Sequence, residues 1–133
     1  MPVLKEHLEF FPVDMELGWS QPQGAPEGVM EKILCGRLDE AARTGSRTRL
    51  VRFGANVFTT APVIHEYWEE VFVFKGDLIV GADATGKGGI VFGPGTYACR
   101  PPHIVHGPFG SEKGCILFEV HYFGATPDAG ISR

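Results

Sequence analysis

The segment VIHEYWEEVFVFKG (63–76) sets His65, Tyr67 and Glu69 at alternate positions immediately ahead of an apolar run. Alternate side chains of a strand share a face, so an imidazole, a phenol and a carboxylate can project together. PPHIVH (101–106) adds His103 and His106 after a stiff Pro-Pro step, and Glu119 and His121 share one face of CILFEVHYF (115–123). Imidazole nitrogen and carboxylate oxygen are donors for divalent cations, and side chains from separate strands converge in the mouth of a small barrel. Each piece also has an ordinary reading. His65 and Glu69 can form a polar strand edge, and His103 can be a turn residue, because histidine tolerates positive φ better than most side chains. His121 can be a satisfied core or edge histidine.

The elements that must position these groups read as β-structure from residue 47 onward. RTRLVRF (47–53), EVFVF (70–74), DLIV (77–80), GIVF (89–92), TYACR (96–100) and CILFEVHYF (115–123) are short apolar or alternating runs. Between them stand the turn signals Lys75-Gly76-Asp77, Thr85 to Gly89, Gly93-Pro94-Gly95 and Gly107-Pro108-Phe109-Gly110. Short strands at regular spacing with such turns predict a sandwich or barrel. Met30, Ile33, Leu34, Leu38 and Ala41 fall at helical spacing, but Gly36 weakens a helix by about 1 kcal/mol relative to alanine. We read VMEKILC (29–35) as a strand followed by a hairpin through GRLDEAARTGS. Residues 1–28 are expected to wrap the outside as an edge strand and loops, 29–123 to form the barrel, and 124–133 to be a loose tail.

With 133 residues, 44% of them hydrophobic, the chain suits one domain with a single core. A formal charge of −4 disfavours a nucleic-acid surface, which needs a basic field. No apolar run reaches the length of a membrane span, and the N-terminal MPVLKEHLEFF, with Glu6 and Glu9, does not read as a signal peptide. The three cysteines, Cys35, Cys99 and Cys115, have no close pairs and suit reduced thiols, so a cytoplasmic location is expected.

Two spacings carry a resemblance. Six residues separate Glu69 from Gly76 and three separate His65 from Glu69; five separate Gly95 from Pro101, which His106 follows at the next motif offset. In register these resemble the two motifs of the cupin superfamily over residues 29–123. The resemblance implies an all-β fold, a cupin-type jelly-roll β-barrel in a single domain. It implies His65, Glu69 and His106 as metal ligands, two histidines and one carboxylate, the set that leaves open positions on Fe(II). The departures are Val63 at the usual first histidine, Val57 and His103 at motif glycines, and Gly110 at the closing asparagine. Glu70 is the runner-up for Glu69; its use would reverse strand parity and bury Phe72 and Phe74 in place of Val71 and Val73. Tyr67, His103 or His121 could fill the place lost at Val63.

A divalent ion here, iron or alternatively zinc, nickel or manganese, would keep about one positive charge by simple counting. It would hold an oxygen-rich or carbonyl-containing small molecule. The resemblance then implies an Fe(II)-type dioxygenase or a Lewis-acid isomerase or lyase, with Tyr67 as a general acid or base and His103 or His121 as alternatives. PPHIVHGPF also resembles cupins joined to bacterial stress-sensing regulators, so the alternative is a non-catalytic metal- or small-molecule-binding sensor. Cupin barrels commonly pair through outer sheets, and outward Phe72 and Phe74 would suit a homodimer.

Overall fold

The computed structural model describes residues 5–124. Its nine strands are β1 (Val29–Asp39), β2 (Thr44–Phe53), β3 (Val57–Phe58), β4 (Trp68–Gly76), β5 (Leu78–Val80), β6 (Ile90–Phe92), β7 (Tyr97–Arg100), β8 (Phe109–Ser111) and β9 (Cys115–Tyr122). They pair antiparallel in two sheets, β1-β2-β9-β4-β7 and β3-β8-β5-β6. This is the jelly-roll barrel that the family resemblance implies, and it agrees with the sandwich or barrel predicted from turn spacing. Residues 1–4 and 125–133, and with them nearly all of the expected C-terminal tail, lie outside the described residues.

Two expectations need correction. The first strand does not stop at Cys35 but runs on to Asp39, passing Gly36 at φ +79° beside a register shift between Ile33 and Cys35. Glycine accommodates this left-handed backbone at little steric cost, so the strand continues past the bulge at Leu34 with Gly36 paired to Arg47. The hairpin then closes at residues 40–43, where the Asp39 carboxylate accepts the Ala42 amide at 3.0 Å. The second correction is Gly107 to Gly110, read as a turn: Phe109 and Gly110 already belong to β8. A strand of three residues is too short for an alternating pattern to show. Gly110 is needed there because a Cβ would meet the Phe58 ring at 1.9 Å.

The long strands share one design. Facing inward, β2 presents Arg47, Arg49, Val51 and Phe53; β9 presents Cys115, Leu117, Glu119 and His121; β4 presents Glu69, Val71 and Val73. Antiparallel register sets Phe53 against Cys115, Val51 against Leu117, Arg49 against Glu119 and Arg47 against His121. Apolar residues therefore stack at one end of the barrel and charged ones at the other. The apolar end, closed by Val29, Leu78 and their neighbours, forms the core. Each large aliphatic or aromatic side chain there contributes about 1.5–3 kcal/mol by leaving water. On β4, Glu69 faces inward with Val71 and Val73, while Phe72 and Phe74 face outward. Outward-facing Glu70 accepts hydrogen bonds from the hydroxyls of Tyr97 and Tyr122.

Below the core, two turns are tied together. Gly76, at φ +82°, passes so close to Gly114 that a Cβ would lie 2.0 Å from its carbonyl oxygen. The Asp77 carboxylate accepts the Ser111 hydroxyl at 2.8 Å and the Glu112 and Lys113 amides at 3.0 Å each. Burial pushes the Asp77 carboxyl up, but these hydrogen bonds outweigh it and hold it below its ordinary value. A depressed carboxyl stabilises the fold above its unfolded pKa, and that contribution disappears as pH falls through the folded pKa. Asp77→Ala is expected to cost about 2 kcal/mol in urea unfolding near neutral pH. The gap between variant and parent should close in acid below the ordinary value of 3.8; a gap of constant size there would assign the cost to lost packing.

Candidate metal centre

The charged end of the barrel opens into a cavity of about 1010 Å³. Two loops deliver its histidines. The loop before β4 and the loop after β7 are stitched by backbone: Val63 N to His106 O at 2.6 Å, His106 N to Val63 O at 2.9 Å, and His103 N to His65 O at 3.0 Å. Val63 thus supplies no ligand atom but fixes the backbone of His106. These bonds set the His65 and His106 rings 4.8 Å apart. Ligand atoms of His65, Glu69 and His106 lie within 4.8 Å of one another.

Hydrogen bonding defines the tautomer of His65. Its Nδ1 lies 3.1 Å from the Tyr67 carbonyl oxygen, which can only accept, so in the neutral ring the proton is on Nδ1. Nε2 then carries a lone pair that is buried, lacks a hydrogen-bond partner, and lies 3.7 Å from Glu69 Oε2. On the other side, His106 Nε2 lies 3.6 Å from Glu69 Oε1. Burial, and then the charge of Arg100, push the His106 imidazole down and favour its neutral form, the form that ligates metals. An orphaned buried lone pair facing a buried carboxylate fits a cation better than it fits a closed hydrogen-bond network.

Glu69 is held from behind. Its Oε2 accepts His121 Nε2–H at 2.8 Å, and its Oε1 faces an Arg100 Nη at 3.1 Å. Burial pushes the carboxyl up, but the hydrogen bond from His121 and the charge of Arg100 outweigh it, leaving Glu69 well below the usual carboxylate range. A carboxylate has about four lone-pair sites, so acceptor capacity remains toward the cavity. His121 is fully buried, and its Nδ1 accepts Arg47 Nε at 3.2 Å and Nη2 at 2.7 Å. Arginine only donates, so the proton of His121 is on Nε2. The geometry makes His121 a positioning residue for Glu69, and no free lone pair remains for the fourth ligand once considered there. His103 also stands apart from the cluster: its side chain is exposed and 3.6 Å from Glu66, at a backbone φ of +69°. The turn reading describes its geometry, with histidine adopting the left-handed conformation for which the motif uses glycine.

Tyr67 is part of the cluster. Its ring stacks on His65 with centroids 4.0 Å apart and planes 2° apart, and it lines the cavity. Burial pushes its hydroxyl pKa up, which keeps the phenol protonated near neutral pH and favours donation over base action.

Sequence reasoning missed the arginines. Arg49 donates from Nε to Glu119 at 2.9 Å and from Nη1 to Glu31 at 2.7 Å. Burial would lower its pKa, but the two carboxylates raise it and keep it charged. Arg100 spans from Glu69 to the face of Phe109, with its Nε buried and unpartnered. The available signal was parity, since Arg47 and Arg49 occupy the face that continues into Val51 and Phe53. Glu69, Glu119 and His121 also lie within 4.8 Å of one another, but both His121 nitrogens and the Glu119 Oε1 are engaged by Arg47, Arg49 and Glu69. That group is a hydrogen-bond network.

Comparison with known proteins places this geometry. Residues 15–123 match the model of the ChrR Cupin-like domain family. Among solved structures, an RmlC-like cupin from Shewanella frigidimarina is similar at 17% identity, over 92% of this chain and 96% of that one, with a TM-score of 0.62. An acetylacetone dioxygenase from Acinetobacter johnsonii is similar at 18% identity, over 94% and 82%, with a TM-score of 0.60. The polyketide cyclase RemF from Streptomyces resistomycificus is similar at 18% identity, over 94% and 88%, also with a TM-score of 0.60. A search of curated proteins finds no match.

The Arg49 network makes a stability prediction. Arg49→Leu leaves Glu119 buried beside no cation and is expected to cost about 3–5 kcal/mol in chemical unfolding. Adding Glu119→Leu should recover a large part of that loss. Equal losses in the single and double variants would show that Arg49 acts through packing alone.

Proposed function

The chain belongs to the ChrR cupin-like domain family, and on that premise we propose that it is a metal-dependent enzyme acting on a small carbonyl compound. The observation that carries this reading is the unpartnered, deprotonated Nε2 of His65, aimed at Glu69 beside His106 in a large cavity. His65, Glu69 and His106 would hold the ion. When bound, a divalent ion supplies Lewis acidity, and dioxygen chemistry if it is iron.

The protein's own groups do the rest. Phe58 and Phe109 wall the cavity and exclude water from one side of a bound substrate. The Tyr67 hydroxyl donates a hydrogen bond to an oxygen of the substrate as negative charge grows there, while solvent water takes the proton lost beside the carbonyl. That step is shared by dioxygenation of diketones and by isomerase or lyase reactions. Similarity to proteins named as an acetylacetone dioxygenase and a polyketide cyclase supports a carbonyl substrate. The family description favours a second reading, a sensor in which ligand or metal binding changes stability without turnover.

The test begins with anaerobic purification and elemental analysis, then a screen of diketones and keto acids by oxygen uptake and by loss of enol absorbance. His65→Ala, Glu69→Ala and His106→Ala are expected to lose metal and turnover together. Tyr67→Phe should keep the metal and lose about 10²–10⁴ in kcat. Less than about a tenth of an ion per chain in the parent would overturn the reading. Ligand-dependent stabilisation with no product would favour the sensor.

We also propose a homodimer through the outer face of the five-stranded sheet. In register, Phe72 lies opposite both Tyr97 on β7 and Phe118 on β9, giving an aromatic row that is 42%, 57% and 38% exposed, respectively. Light scattering should give twice the chain mass at micromolar concentration, and Phe72→Glu should halve it.

A further inference from the structure

We infer that Arg47 is a recognition site for a substrate carboxylate, remote from the carbonyl group that faces His65, Glu69 and His106. This deepens the proposed function and rests on it for the notion of a substrate, though not for the charge argument. The other two arginines lining the cavity are already neutralised. Arg49 lies between Glu31 and Glu119, and Arg100 lies on Glu69. Arg47 has no carboxylate within ion-pair distance among the described residues. Its hydrogen bonds go to neutral His121 Nδ1, from Nε at 3.2 Å and Nη2 at 2.7 Å. Among the described residues, Nη1 and one N–H of Nη2 have no protein acceptor.

A half-buried guanidinium without a counter-ion is unfavourable, and an anion that enters the cavity relieves that cost. The location suits a two-point ligand. Only the His121 imidazole separates Arg47 from Glu69, and the Arg47 guanidinium stands 5.9 Å from the centre of the Tyr67 ring that stacks on His65. Arg47 and the candidate metal centre therefore border the same space. The Arg47 guanidinium, which pairs with no described carboxylate, matches a carboxylate monoanion, whose planar oxygens suit its fork. A phosphate dianion would bring excess negative charge close to Glu31, Glu40 and Glu119, which line the same cavity. The substrate class is then a keto acid with a second carboxylate.

Calorimetric titration tests this on metal-loaded and metal-free protein. The probes are α-ketobutyrate, oxaloacetate, α-ketoglutarate and α-ketoadipate, with phosphonopyruvate as the phosphonate arm. At least one dicarboxylate should bind parent protein about 10-fold or more tightly than α-ketobutyrate, a difference of roughly 1.4 kcal/mol. Arg47→Gln, which can still donate to His121, should abolish that ratio, while Arg47→Lys should keep part of it. The ratio should persist in metal-free protein, because Arg47 belongs to the chain. It therefore survives even if the metal-enzyme reading fails. Equal binding of mono- and dicarboxylates by the parent would overturn the inference, as would a ratio unchanged in Arg47→Gln. Tightest binding of phosphonopyruvate would overturn the carboxylate assignment.

Discussion

The interaction on which the charged half of the barrel depends is the hydrogen bond from His121 to Glu69. Glu69 is only 6% exposed and His121 is fully buried, so neither can turn to water for a partner. An isolated carboxylate in such a place would protonate. Here one carboxylate oxygen takes the His121 proton and the other faces Arg100, while Arg47 holds the far side of His121 and thereby selects the tautomer. The chain from Arg47 through His121 to Glu69 keeps the carboxylate ionised and immobile. What remains of its acceptor capacity points at His65 and His106.

The same strands that bury this network also build the hydrophobic core. Along β2 and β9 the inward face changes from charged to apolar within two residues, and antiparallel pairing aligns the changes on neighbouring strands. No separate scaffold carries the site. Displacing β9 by one residue relative to β2 would put Leu117 and Glu119 on the wrong faces together. Stability of the floor and geometry of the mouth are set by one register.

Much of this was legible in the sequence, and the exceptions have physical causes. The convergence of His65, Glu69 and His106 was legible because motif spacing and strand parity are local properties, and the inward Val71 and Val73 followed by alternation. The strands at 57–58 and 109–111 were missed because two or three residues cannot display a period. The surface position of His103 near Glu66 could not be read from its residue type, because it follows from a backbone φ of +69°. His121 was placed on a useful face, but its role depends on the reach of Arg47 from another strand, which no local pattern encodes. Arg47, Arg49 and Arg100 went unnoticed for a related reason. Long side chains read as surface residues unless the strand's apolar half is used to orient the rest.

The distribution of sulfur in this barrel has a consequence for ion choice. Cys115 lies in the floor at 3% exposure, where burial pushes its thiol up to about 11 and keeps it protonated. Cys99 is exposed on the outer face opposite Glu70, and Cys35, on β1, donates to the Glu6 carbonyl. No described thiol lines the cavity. An ion held by His65, Glu69 and His106 would meet only nitrogen and oxygen donors, so soft ions that prefer thiolate would gain no advantage. On the proposed reading, two imidazoles and one carboxylate would suit borderline ions such as iron, nickel and zinc, and availability would weigh more heavily than thiol affinity in the choice among them.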